Sequence, residues 1–232
     1  MLNKENIEII NKIMSVIETG KLPSVESYSS CQILNDNAGI SYGKHQATDA
    51  SGSLDKIVFK YIDLNGLWAG DISPYVHLLE DNLTRKPTEE VNALIKALKN
   101  AGTDKVMQDI QDEVFYNDYF KPAEEHCLFM DLKTPLAHLI IYDTCIQSGP
   151  AAVNKMRKLF PEVPPIKHGN EKVYLNAYLK ARYNWLSNFN DNGSNKEKLI
   201  RNSAKRIIQL QKILNDDNMI LDKPINVFGI AI

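Results

Sequence analysis

Two carboxylates near the start of the chain carry the first chemical argument. Glu18 falls in the run Val16-Ile17-Glu18-Thr19-Gly20, and Asp36 follows 18 residues later in Asn35-Asp36-Asn37-Ala38-Gly39. Hydrolysis of a glycosidic bond needs such a pair. One carboxyl gives its proton to the leaving oxygen while the other, ionised, activates the attacking water. The flanking residues divide the roles. Glu18 follows apolar Val16 and Ile17, a setting that favours the protonated acid, whereas Asp36 lies between Asn35 and Asn37, polar neighbours that favour the ionised base. Each also has a plainer reading: Glu18 as a solvated glutamate at a helix end, and Asp36 as a turn residue bonding its own backbone.

Other reactive side chains cluster just downstream. Ser41, His45 and Asp49 fall four apart and would share a helix face like a nucleophile triad. Gly39 and Gly43 argue against a helix there, and no nucleophile-elbow pattern surrounds Ser41. His45 and Gln46 read better as the lining of a sugar subsite. Asp49 and Asp55 are further carboxylates, suited to capping or helix-dipole roles or to substrate contact at a cleft wall. Tyr42, Tyr116, Tyr119, Tyr183 and Trp185 offer rings for stacking on sugars, although aromatics at helical spacing usually belong to a core. Arg182 is expected to pair with a carboxylate and hold it in place. The 5 histidines form no HExxH pair and the 3 cysteines no CxxC pair, so free buried thiols are expected, with no metal and no cofactor.

Helices must position these groups. Ile7, Ile10, Ile13, Met14 and Ile17 repeat at helical spacing and predict a first helix ending near Gly20. Pro23 places 21–28 in a loop. Ser29 to Leu34 and Ile40 to Tyr42 predict a hairpin around the Asn35–Gly39 turn. Further helices are expected over 54–62, 74–80, 88–98 with Thr88 as cap, 104–119, 122–130, 151–159, 173–189 and 196–214. The stretch 135–147 is apolar apart from His138, Asp143 and Thr144, so it reads as a central buried helix. The tail 225–232 is apolar and reads as a strand or docked segment.

Composition fits a globular chain of 232 residues, 44% hydrophobic and 24% charged, with ample length for a core. A net charge of −2 without basic clustering gives no case for nucleic acid, and no apolar run approaches the roughly 20 residues of a membrane span. The first residues read as an amphipathic helix and not as a signal peptide. The expectation is that a signal has already been removed, or that the protein is made in the cytoplasm without one and delivered to the cell wall or beyond by a non-classical or phage route.

At these residues the chain resembles the chitosanases of glycoside hydrolase family 46, a branch of the lysozyme-like superfamily, and chitosanase-like proteins of bacteria and their phages. That family carries a catalytic glutamate at the end of its first helix and an aspartate in a Gly-Asp-Gly-x-Gly-Tyr-Thr-x-Gly type turn. Glu18 and the stretch Asn35 to Gly43 match these positions, and Ser41 falls on the threonine that helps hold the attacking water. Ile141 to Gly149 and Tyr178-Leu179-Lys180-Ala181-Arg182-Tyr183-Asn184-Trp185-Leu186 also resemble helices of the family. The chain departs from the pattern at Asn35, Asn37 and Ala38, which stand where glycines and an arginine are usual.

The resemblance implies a mainly α (α+β), two-lobed lysozyme-like fold over 1–232, with a small hairpin beside an active-site cleft. It implies a monomeric glycosidase cleaving β-1,4 bonds of an aminosugar polysaccharide, chitosan or peptidoglycan, with inversion. Glu18, Asp36 and Ser41 would be catalytic, and Tyr42, His45, Gln46, Asp49, Asp55 and Arg182 would bind substrate. The alternative is a non-catalytic glycan-binding or structural module on the same fold.

Overall fold

The computed structural model describes residues 2–33, 38–189 and 195–232. They form two compact units, one of 1–22 and 117–232, the other of 23–116. Helix α1 (Lys4–Thr19) opens the first unit. Asn3 caps it, accepting from the Asn6 amide at 2.8 Å. Gly20 ends it in the left-handed region at φ 70°, its N–H reaching the Val16 carbonyl. Glycine takes that conformation without steric cost.

The second unit begins with a correction to the expected loop. Val25–Tyr28 forms a short helix, α2. Ser27 Oγ accepts from the Ser24 amide at 3.2 Å and starts the turn just after Pro23. Strands β1 (Cys31–Ile33) and β2 (Ile40–Tyr42) form the expected antiparallel hairpin, and β3 (Ala47–Thr48) adds a third strand. The register pairs Ser41 with Gln32 on one side and with Thr48 on the other. The tip of the hairpin, including Asp36, lies outside the described residues.

Helices α3 (Ser53–Asp63), α4 (Ala69–Ile72), α5 (His77–Glu80), α6 (Glu89–Ala101) and α7 (Lys105–Phe115) complete this unit. Thr88 caps α6 as expected, accepting from the Val91 amide. Asp104 caps α7 and also accepts from Tyr61 Oη at 2.7 Å and the Leu67 amide at 3.0 Å. One carboxylate thus ties the start of α7 to α3 and to the loop beyond it. The expected single helix over 104–119 instead stops at Phe115 and continues as a π-helical turn, Tyr116–Phe120.

The chain then returns to the first unit with α8 (Lys121–Met130), α9 (Pro135–Ser148), α10 (Ala151–Met156), α11 (Glu171–Ser187) and α12 (Asn195–Asn215), followed by a terminal hairpin of β4 (Asn226–Val227) and β5 (Ile230–Ala231). Helix α9 is buried on all sides from Pro135 to Cys145. Its Leu136, Leu139, Ile140 and Ile141 join Ile10, Ile13 and Met14 of α1 in one core. An all-round apolar helix must sit inside, because no face of it gains from water. Cys31, Cys127 and Cys145 are free and buried. No described helix is long and apolar enough to cross a membrane.

Candidate active site

Glu18 stands in the last turn of α1, where the apolar positions of the helix fix its azimuth and Gly20 ends the chain's helical path. Its carboxylate is 14% exposed and accepts from Arg206 Nη2 of α12. Arg206 turns its Nε to Asp143 Oδ1 of α9 at 2.6 Å. Arg182 of α11 reaches the other oxygen, Asp143 Oδ2, at 3.2 Å. Arg182 also donates to Gln147 Oε1 at 3.1 Å and Ser148 Oγ at 3.3 Å. The result is a chain of alternating charge, Arg182–Asp143–Arg206–Glu18, drawn from four helices of one unit.

Burial alone would weaken both guanidinium charges. For Arg206, Asp143 and Glu18 outweigh that effect and its pKa stands above the ordinary arginine range. For Arg182, burial wins over Asp143 and the shift is downward. With both acids ionised, the two cations and two anions balance. Buried charges persist only when matched in this way. The expected apolar environment of Glu18 is corrected accordingly: a guanidinium meets the carboxylate, because α12 brings Arg206 across the end of α1.

Arg182 is corrected too. It does hold a carboxylate, but at 0% exposure it cannot touch substrate. Sequence reasoning missed Asp143 and Arg206. A lone aspartate in an apolar helix is a usable signal, since it demands a buried cation. Arg206 gave none, because α12 carries several other basic residues.

In the second unit, Ser41 lies in the middle strand and is buried. His45 packs on Phe115 with ring centroids 4.6 Å apart, and burial, aided by the Lys44 charge, pushes its pKa down to about 3. Asp49 Oδ2 accepts from Thr84 Oγ1, which in turn accepts from the Ile40 amide at 3.2 Å. Gly39 makes this approach possible, since a Cβ there would lie 2.3 Å from Thr84 Oγ1. Among the described residues no hydrogen bond joins Ser41, His45 and Asp49. Strand geometry separates what a helix would have aligned, so there is no triad.

The expected substrate contacts Tyr42, His45 and Asp49 are buried, as Ser41 is, and are held by groups of their own unit. Tyr42 is 1% exposed and donates to the Leu98 carbonyl at 2.8 Å, and His45 and Asp49 are likewise buried. Gln46, in the left-handed region at φ 55°, and Asp55 remain partly accessible. Asp55 sits in the first turn of α3. Burial and the nearby Asp49 charge raise its pKa, and its Oδ1 has no hydrogen-bond partner. Of the rings, Tyr116 and Tyr183 are exposed, Tyr119 is half-buried, and Trp185 packs on Phe189 with Lys155 Nζ over its face at 4.8 Å. Among the described residues no group of three or more His, Cys, Asp or Glu gathers to hold a metal.

Comparison with known proteins agrees with this fold. A chitosanase of Bacillus subtilis (strain 168) is 28% identical over 97% of this chain and 83% of its own length. The crystal structure of a native chitosanase from Bacillus subtilis MY002 superposes with a TM-score of 0.85 at 25% identity, covering 100% of both chains. A chitosanase from Gynuella sunshinyii in complex with chitotetraose shares the fold, with a TM-score of 0.84 at 24% identity over 100% of this chain and 98% of that one. Residues 12–225 match the model of glycosyl hydrolase family 46, and the chain belongs to that family.

Proposed function

We infer that this protein hydrolyses chitosan, with Glu18 as general acid and Asp36 as general base in an inverting reaction. The observation that carries the reading is the placement of the Glu18 carboxylate on Arg206 at the end of the Arg182–Asp143 chain. With substrate bound, Glu18 would carry the proton that it gives to the leaving glycosidic oxygen, and Arg206, already met by Asp143, would receive the carboxylate so formed as its second anion. The preorganised guanidinium stabilises charge as it develops on the carboxylate, with no reorganisation at the moment of reaction. Arg182 and Asp143 act by positioning: they fix Arg206, and Arg206 fixes Glu18.

On the opposite face of the sugar, Asp36 would remove a proton from water as it attacks the anomeric carbon, and Ser41 would help hold that water. The C–O bond to the leaving sugar breaks as the C–O bond to water forms. Inversion follows from direct displacement and calls for carboxyl groups about 6.5–9.5 Å apart. Chitosan is favoured over peptidoglycan by the chitosanases that this chain resembles over nearly its full length. Polymer binding would draw on Asp55 and Gln46, the accessible polar groups beside the sheet, with Asp55 offering an anion to a glucosamine ammonium.

The test is product analysis by mass spectrometry after incubation with chitosan and, separately, with purified peptidoglycan. Proton NMR of the nascent anomer would accompany it, and Glu18→Gln would run alongside wild type. Glucosamine oligomers born as the α-anomer, absent with the variant, are expected. Muropeptides alone would move the substrate to peptidoglycan, β-anomeric products would remove inversion, and no product from folded wild type would favour the non-catalytic module.

A further inference from the structure

The first unit carries a pocket of about 440 Å³ between the end of α10, the segment 160–167 and Tyr174 of α11. That volume lies within the range of small-ligand sites, roughly 300–1,000 Å³. Arg157, Lys158 and Lys167 line it, against a single carboxylate, Glu162. None of the three cations forms an ion pair among the described residues.

Arg157 is half-buried and held by neutral groups instead. Its Nη1 donates to Asn154 Oδ1 at 3.1 Å, and its guanidinium lies 5.0 Å from the Phe129 ring centroid. These contacts orient the planar fork without cancelling its charge. The contrast with Arg182 and Arg206 is direct, since both of those meet Asp143. A partly buried cation left uncompensated is unfavourable until an anion reaches it.

The pocket wall is built in advance. Pro161, Pro164 and Pro165 stiffen the segment, and the Lys167, His168 and Gly169 amides bond back to Pro164 and Pro165 carbonyls at 2.9, 2.8 and 3.2 Å. Gly169 allows this closure, because a Cβ there would lie 1.8 Å from the Val163 carbonyl oxygen. Phe160 stands on Tyr174 with centroids 5.3 Å apart and gives one apolar side. A wall already rigid lowers the ordering cost of binding.

We propose that this pocket binds a phosphate-bearing anion through Arg157, Lys158 and Lys167. A guanidinium fork with two ammonium groups suits phosphate, the fork by bidentate hydrogen bonding and the lysines as point charges. The cationic excess over Glu162 matches the charge of about −1.5 to −2 on a phosphate monoester. It also repels a polycation, so the pocket is not another subsite for an amine-bearing glycan. The inference does not depend on the hydrolytic reading.

Isothermal titration of the full chain with inorganic pyrophosphate, at ionic strength fixed with sodium chloride, tests it. Arg157→Gln and a Lys158→Gln, Lys167→Gln double variant would be compared with wild type. A second arm replaces pyrophosphate with poly(glycerol phosphate), separating a free anion from phosphate in a polymer. Saturable binding to wild type is expected, at least about tenfold weaker in either variant, with chitosan hydrolysis unchanged. Heats no different from added chloride in both arms, or equal affinity in all three proteins, would overturn the site. If Arg157→Gln loses its native circular dichroism, the lysine variant alone decides.

Discussion

The carboxylates buried in the two units are held by opposite means. In the first, Glu18 and Asp143 meet two guanidinium groups. In the second, Asp49 leans on the Thr84 hydroxyl, and Asp49 and Asp55 each keep a buried oxygen without a hydrogen-bond partner. Compensation by fixed cations lets an ionised acid sit deep in an apolar unit. Burial beside a like charge works the other way and raises the Asp55 pKa. Substitutions should therefore change sign between the units: neutralising Asp143, which both guanidiniums of the first unit share, removes support, and neutralising Asp55 relieves strain.

The largest effect is expected at Glu18. Glu18→Gln keeps the shape and an acceptor for Arg206 but has no proton to give, so chitosan turnover should fall about 10²- to 10⁴-fold, the span of general acid catalysis. Melting temperature should move little, since Arg206 retains Asp143. Loss of activity only in step with unfolding would remove the catalytic role. Asp143→Asn comes next. It takes the shared anion from both buried guanidiniums and leaves Arg182 with none, a cost of about 3–5 kcal/mol and roughly a 10 °C drop in melting temperature for a chain of this size. A shift under about 2 °C would mean that water already screens the cluster, and the contrast between the units would fail.

His45 sharpens the comparison from the second unit. Unfolded, it takes up a proton below its ordinary pKa of 6.5; folded, burial delays this to about pH 3. Between those values the unfolded state binds more protons, so stability falls as pH falls from 6.5 towards 3, by up to about 1.4 kcal/mol per pH unit. Above pH 6.5 this contribution is constant. Urea unfolding of wild type and His45→Gln across that window should show a steeper decline in wild type. Parallel curves would place a proton on the folded imidazole and put water beside it.

Much of this is legible in the sequence. The α1 stripe, Gly20, the hairpin on either side of Asn35–Gly39, the buried α9 and the Thr88 cap all follow from periodicity and turn chemistry, which are local. Glu18 was legible by position but not by environment, because its partner lies 188 residues away. Spacing along a chain carries no information about which arginine of α12 crosses the end of α1. Tyr42, His45 and Asp49 lie deeper than expected for a related reason. Polar and aromatic residues next to a turn look accessible in sequence, yet a third strand, Phe115 and Thr84 cover them. Arg182 partners an acid as expected, since a guanidinium on the buried face of α11 needs a compensating anion. Its place facing Asp143 and Gln147 of α9, at 0% exposure, is what sequence did not show.

The smallest effect is also the one that separates the two units most cleanly. Asp55 has its folded pKa raised above the ordinary 3.8, first by burial and then by Asp49. A raised carboxylate favours folding while protonated, and the advantage is lost as pH climbs through the folded pKa. At neutral pH the folded state therefore carries a charge that it would rather shed. Asp55→Asn should raise the melting temperature slightly at pH 7, with the difference shrinking to nothing as pH falls below about 3.8. Solvent reaches much of this side chain, so screening keeps the gain small. A variant that melts lower at pH 7 would mean that the Asp55 charge is compensated after all, by the α3 dipole or by a cation. The acids of both units would then be held in the same way.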